Sequence, residues 1–445
     1  MGVLSIIGFL TIIIIVLLLI SGRVTPIIAL VLTPISGAFI AGFGLEEIGA
    51  FFDEGITDVV HVAIMFIFAI LFFGIMQDVG LFDPLIRGMI SISQGNVIAI
   101  CIGSVVIAAI AQLDGSGAST FLITIPALLP LYKKLKMNPY LLLLLIGGSA
   151  SIMNMLPWAG PLGRSASVLN MDVTELWRPL IPIQAIGLVL MIVLAIVLGY
   201  REKKRITKEY GSIAAAAAIE PDLQIGKETS ESIKTEPAPP QSKKLWINVI
   251  LTIAVIGTLV WGVIPAGLVF MIGVSLALPI NYPKMQDQMD RIRYHAPNAL
   301  MMATIILAAG TFLGVLTGTG MLNAIAEDIV TVIPAFIAPY VHLIIGFFGV
   351  PFDLLLSTDA YYFALMPVVE QIATGFGIDS LSTTYAMIVG NIVGTFISPF
   401  SPAVWLALGL AGLEMGRHIR YSLFWLWGLS LVLLVFSIII GLIVV

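Results

Sequence analysis

The chain has 445 residues, of which 59% are hydrophobic and 11% charged, and its net charge is −5. A water-facing surface needs roughly a quarter of a chain to be charged, so a soluble globular protein is excluded, and soluble enzymes and nucleic-acid readers go with it. Cys101 is the only cysteine, which excludes disulfides and thiolate metal clusters.

Apolar blocks of about 20 residues, each long enough for a helix to cross a hydrocarbon core of roughly 30 Å, follow one another along the chain. The first set runs at 3–20, 24–43, 57–77, 97–113, 120–132, 139–170 and 180–199. The opening block lacks a basic start and a small-residue cleavage site, so it reads as a span rather than a signal peptide. Residues 200–245 begin with REKKR, pass through five alanines and end in EPAPPQSKK, too poor in large apolar residues to bury a core; they read as a flexible linker. A second set follows at 246–263, 265–280, 298–318, 329–356, 361–375, 383–412 and 421–445.

The two sets repeat. FFGIMQDVGLFDPL (72–85) matches TFLGVLTGTGMLNA (311–324), LDGSGASTFLITIP (113–126) matches LLSTDAYYFALMP (355–367), and SIMNMLPWAGP (151–161) matches NIVGTFISPFSP (391–402), in one order. If 97–136 is one hairpin turning at the polar DGSGAS in mid-membrane, and 329–375 its counterpart, each half has five crossings and one re-entrant hairpin. An odd number of crossings makes the halves inverted. With the linker inside, 19 of the 21 basic residues fall on one side, which is the cytoplasmic signature. Only Arg164 and Arg178 fall outside. The expected fold is an all-α polytopic membrane protein: a first repeat at 1–199 (hairpin 97–136, broken helix 139–170), a cytoplasmic linker at 200–245, and a second, inverted repeat at 246–445 (hairpin 329–375, broken helix 383–412). Both termini lie outside; twelve conventional crossings is the alternative.

Irregular backbone at membrane depth is tolerated only where it is buried in protein or lines a water-filled cavity. Four such segments stand out: the tips 114–120 and 357–362, and the breaks at 154–161 and 398–402. Each begins a half-helix whose free N–H groups attract anions, while the preceding helix end attracts cations. Asp114 and Asp359 sit at equivalent tips; either caps the returning helix, binds a metal or sodium ion, or carries a coupling proton. Arg164 lies one turn beyond the first break, able to clamp a carboxylate at two points or to snorkel outward. Gly115, Ser116, Gly117, Ser119, Thr120, Asn154, Gly160, Ser357, Thr358, Tyr362, Asn391, Ser398 and Ser401 complete the candidate binding set, with Thr395 and Tyr361 beside them. Several of the small hydroxyls serve helix packing instead. Asp353 is equally readable as a proton relay or a neutral buried acid. The four histidines are scattered without ligand spacing and read as structural. No Walker loop, HExxH or GxSxG is present, so neither an ATP-driven pump nor an enzyme is expected.

LDGSGAST at 113–120, MNMLPWAGPLGR at 153–164, the STDAYYF…MP and SPFSPA segments and FFGIMQDVGLFDPL together resemble the CitMHS family of citrate–metal:proton symporters. The resemblance covers both halves and fails only in the linker. It implies the inverted-repeat fold of the ion transporter superfamily, residence in the cell membrane as a multi-pass homodimer, and an elevator motion. It also implies uptake of citrate complexed to Mg2+ or Ca2+ together with protons, with no resident cofactor. By carry-over, Asp114, Asn154, Arg164, Asp359 and the surrounding Ser and Thr form the site; Asp114 and Asp359 serve coupling and meet the metal of the complex. Family members carry LDGDGTTT in the first tip, where this chain has Ser116, Ala118 and Ser119, which removes one anionic oxygen available to a metal. A sodium- or proton-coupled carrier of another di- or tricarboxylate or hydroxy acid is the alternative, and a carboxylate receptor a more remote one.

Overall fold

The computed structural model describes residues 2–21, 23–81, 84, 96–211, 244–332, 334 and 337–444, and among these every regular element is a helix. Leu45–Asp78, Val97–Asp114, Val173–Tyr210, Met285–Gly318 and Met415–Ile439 are long and apolar enough to cross a membrane, and six shorter apolar helices accompany them. A helix of 15 residues such as Pro26–Ile40 rises about 22 Å, so the shorter ones rely on their neighbours to complete a crossing. Exposure runs opposite to that of a soluble protein. Leu10, Ile13 and Leu17 face outward, whereas Ser149, Ser151, Asn154 and Arg164 are buried. The molecule is a multi-pass membrane protein that keeps its polar groups inside.

One order of elements occurs twice. In the first half, Val3–Ser21, Pro26–Ile40 and Leu45–Asp78 precede a helical hairpin, Val97–Ala111 and Gly117–Lys134. A helix broken into Pro139–Met153 and Gly160–Val168 follows, and then Ile181–Tyr210. In the second half, Leu245–Trp261, Ala266–Asn281 and Met285–Gly318 precede a hairpin whose outgoing arm is Val341–Phe347 and Gly349–Phe352 and whose return is Ala360–Leu365 and Met366–Gly375. The broken helix Ser380–Asn391 and Pro402–Ala411 and the final helix Met415–Ile439 close the chain. Caps mark where the broken helices begin. Asn138 accepts from the Tyr140 N–H at 3.0 Å with Pro139 in the first turn, and Asp379 accepts from Leu381 and Ser382 at 3.1 and 3.2 Å.

The counterparts Leu45–Asp78 and Met285–Gly318 lie against each other. Glycines permit the approach: a Cβ on Gly55 would overlap the Gly310 carbonyl, and one on Gly314 would overlap the Phe51 carbonyl. The hairpins and broken helices pack by exchange between halves. The return arm Gly117–Lys134 of the first hairpin packs on Pro402–Ala411 of the second half, and the return arm of the second hairpin packs on Gly160–Val168 of the first.

The structure corrects three boundaries read from sequence. REKKR (201–205) does not open the linker but continues the helix to Tyr210, where Arg205 bonds Glu202 and the Lys136 carbonyl; the remainder of the linker, 212–243, lies outside the described residues, as does Arg87. Residues 329–332 belong to a separate helix, Met321–Val332, so the second hairpin starts later than 329. The second broken helix begins at Ser380 and gives way at Asn391, well before the prolines of SPFSP, leaving a longer irregular stretch than its counterpart in the first half.

Candidate functional site

The first tip closes on its own carboxylate. Asp114 is 8% exposed; its Oδ1 accepts from the Ser116 N–H at 2.8 Å and its Oδ2 from the Ser119 hydroxyl. Gly115, at φ 74°, makes the turn that L side chains resist, and a Cβ there would come within 3.0 Å of the Trp158 carbonyl. The Ser116 carbonyl accepts from the Ser119 and Thr120 hydroxyls at 2.9 and 3.1 Å. Behind the tip, Gln112 is bonded at both ends of its amide: it donates to Asn154 Oδ1 at 2.8 Å and accepts from the Thr120 hydroxyl at 2.6 Å. Trp158 Nε1 donates to the Leu113 carbonyl at 2.7 Å. Tip and first break are thus one hydrogen-bonded unit.

The second tip is tied to both halves. Asp359 accepts from Arg164 Nε at 2.7 Å, with side-chain exposures of 13% and 9%. The Arg164 guanidinium also lies 5.8 Å from the Phe363 ring centroid, and its Nη1 fills the space a Cβ on Gly160 would need. Ser357 Oγ accepts from the Ala360 N–H at 3.2 Å and starts the return arm, whose first turn, Ala360–Leu365, is π-helical. Such turns recur at functional sites because they re-aim side chains within a helix. Ser398 donates to the Asp353 carbonyl at 2.5 Å, and Asn391 Nδ2 to the Gly349 carbonyl at 3.1 Å. Across the halves, Phe396 lies where a Cβ on Gly117 would go and meets Phe121 edge-on, 5.2 Å between centroids.

The first tip therefore touches the first break and Phe396 of the second, while the second hairpin meets the helix after the first break through its tip and the second break through its outgoing arm. Asp114, Thr120, Asn154, Arg164, Tyr362, Asn391 and Ser398 are buried, while Ser116, Ser119, Ser357, Thr358, Asp359 and Ser401 are half-buried around them. Arg164 does not snorkel; it is held in the interior by an acid of the other half. Ser401 stands at the head of Pro402–Ala411 without a side-chain cap bond. Tyr361 donates to the Met387 carbonyl at 3.2 Å, whereas the Tyr362 hydroxyl is buried without a partner. Of the histidines, His342 and His418 bond the Val444 and Phe396 carbonyls at 2.9 and 3.0 Å, and His295 bonds Asp78 at 2.9 Å. Gln112, Trp158 and Phe396 are the participants sequence reasoning passed over. Gln112 directly precedes the LDGSGAST motif, and a polar side chain in the last turn of an apolar helix was the available signal.

Among the described residues no group of three or more His, Cys, Asp or Glu side chains is placed to hold a metal ion. A cleft of about 210 Å3, lined in part by Glu54, Asp58, Ser167, Asn170, Thr317 and Glu370, reaches the end of Gly160–Val168, one turn beyond Arg164.

Similarity to known proteins agrees with this geometry. The family described as CitMHS, citrate transporter, matches residues 4–390. A citrate transporter of Bacillus subtilis (strain 168) is 37% identical over 441 residues, covering 99% of both chains. A Mg(2+)/citrate complex secondary transporter of the same organism is 36% identical over 427 residues, covering 95% of both. The crystal structure of the Alcanivorax borkumensis YdaH transporter, reported to have an unusual topology, superposes with a TM-score of 0.59 over 90% of both chains at 15% identity, a likeness of fold alone. The protein is a multi-pass transporter of the cell membrane and not an enzyme. With matches spanning nearly the whole chain, it belongs to the CitMHS citrate transporter family.

Proposed function

We propose that the protein is a secondary active transporter that carries citrate, complexed to a divalent metal ion, inward together with protons. The observation that carries this reading is the Arg164–Asp359 pair, which ties the helix after the first break to the second tip. A guanidinium suits a carboxylate in two-point geometry, and here it already holds one. Citrate carboxylate arriving through the cleft competes with Asp359 for Arg164, and the freed Asp359 oxygen then faces the hard divalent cation of the complex, for which oxygen ligands are the natural partners. The cation travels as part of the substrate, so a dedicated protein cage is not required.

Charge supports the same reading. Citrate carries about three negative charges at neutral pH and a divalent metal cancels two; accompanying protons then make entry electrically favourable, each net charge being worth roughly 2.3 kcal/mol per 100 mV. The halves are inverted, with both termini outside and the basic loops in the cytoplasm, as the one-sided distribution of Lys and Arg favours. On that orientation the cleft beside Glu54 and Asp58 opens outward. The two hairpins and broken helices move as one body against Leu45–Asp78, Met285–Gly318 and their neighbours, within a homodimer.

Uptake of labelled citrate into proteoliposomes tests the proposal, with and without Mg2+ or Ca2+ and with an imposed pH or sodium step. Metal-dependent, pH-driven uptake is expected. Uptake driven by sodium and indifferent to metal would replace it with a sodium-coupled carboxylate carrier, and binding without uptake would replace it with a receptor.

A further inference from the structure

Three acids lie at the tips, and they differ in one respect. Asp114 has both oxygens engaged by Ser116 and Ser119, and Asp359 meets the charge of Arg164. Asp353 is 1% exposed, and its Oδ2 has no hydrogen-bond partner. That oxygen sits against Gly394, where a Cβ would overlap it, with the Asn391 side chain alongside. Among the described residues no cation pairs with it.

The internal repeat sharpens the contrast. Aligning Pro126 with Pro367 places Gln112 opposite Asp353. Both stand at the end of a hairpin's outgoing arm and both face the interrupted end of a broken helix: Gln112 meets Asn154, Asp353 meets Asn391 and Gly394. The first half uses a permanently neutral amide with both its nitrogen and its oxygen hydrogen-bonded. The second half puts an ionisable group at the same strut and leaves one of its oxygens without a donor.

We infer that Asp353 is the residue whose protonation couples substrate movement to the proton gradient, acting as the lock between the second tip and the second break. The inference rests on the proton-coupled reading above. The surrounding groups are committed elsewhere. Tyr361 bonds the Met387 carbonyl, Tyr385 of Ser380–Asn391 the Leu176 carbonyl, His342 of the outgoing arm the Val444 carbonyl, and His418 of the final helix the Phe396 carbonyl. Tyr362, on the return arm, is the other buried side chain of this tip with an unpartnered polar atom. Arg164 is occupied by Asp359. A neutral Asp353 fits the packed arrangement, in which Ser398 bonds its backbone carbonyl. Once the proton leaves toward the low-proton side, the bare carboxylate has the neutral Asn391 side chain beside it and, among the described residues, no cation, and an undercompensated buried charge is costly. The tip then loosens from the break and substrate affinity falls on the low-proton side, whereas the protonated form still binds and releases substrate on either side.

The test uses the full-length protein in proteoliposomes. Wild type should accumulate citrate by about tenfold for each coupled proton under a one-unit pH step. Asp353→Asn is expected to lose uphill accumulation while keeping citrate–citrate exchange within about threefold of wild type, because exchange needs no net proton release. PH-driven accumulation by Asp353→Asn equal to wild type overturns the inference. Where Asp353→Asn does not purify as a folded protein, Asp353→Glu decides: a shift of about half a pH unit or more in the uptake profile supports the role, and an unchanged profile overturns it. Wild type indifferent to the pH step refutes proton coupling itself and is thereby distinguished from a failure at Asp353.

Discussion

Removing the charges of Arg164 and Asp359 together should cost less than the sum of removing each alone. The two side chains are 9% and 13% exposed and their charged atoms are 2.7 Å apart, so little water screens them. Unit charges about 4 Å apart attract by roughly 4 kcal/mol at an effective dielectric of about 20. Deleting one partner of a buried pair typically costs about 3–5 kcal/mol, because the other charge is left uncompensated. Arg164→Gln and Asp359→Asn are each expected to lower the unfolding free energy in detergent micelles by about 3–5 kcal/mol, and the double variant by less than their sum by at least about 1 kcal/mol. All three should lose citrate uptake, since the neutral pair restores packing but not the carboxylate clamp. Strictly additive losses, or Arg164→Gln within about 0.5 kcal/mol of wild type, would refute the assignment of this pair as the link between the halves.

Gly160→Ala puts a methyl group where Arg164 Nη1 now lies, so it should raise the citrate KM in uptake assays while leaving thermal stability within about 1–3 kcal/mol of wild type. Trp158→Phe removes the donor to the Leu113 carbonyl and should cost about 1 kcal/mol in denaturant unfolding. Gly314→Ala pushes against the Phe51 carbonyl at the crossing of Leu45–Asp78 and Met285–Gly318; it should cost about 1–3 kcal/mol while uptake per folded molecule is kept. Chelating divalent metal in the uptake buffer should lower citrate entry several-fold, restored by Mg2+ or Ca2+.

The first tip was legible because a polar, glycine-rich run between two apolar blocks can only be a turn in protein-lined space. The first break was legible for a similar reason: Pro157 lies within Asn154–Gly160 and Pro161 directly follows it, and the two leave helical carbonyls without donors. The second half was harder to read. Residues 329–356 form one apolar block, and nothing in their composition separates the helix Met321–Val332 from the hairpin arm starting at Val341. Its break begins at Asn391, just after Gly390 packs closely on Gly346, a contact with no local signature. REKKR looked like linker by charge, yet long side chains on one helix face find partners across space, as Arg205 does with the Lys136 carbonyl. The pairings that join the site, Gln112 with Asn154 and Arg164 with Asp359, link residues far apart in sequence, and spacing carries no record of them. The candidate residues could be named one by one; which acid takes which partner required the fold.

A structure determined with Mg2+ and citrate bound tests the central claim most directly. The account predicts citrate between 114–120 and 357–362, one carboxylate on the Arg164 guanidinium, and Asp359 turned from Arg164 toward the metal. Citrate held elsewhere, with Arg164 still on Asp359, would contradict it.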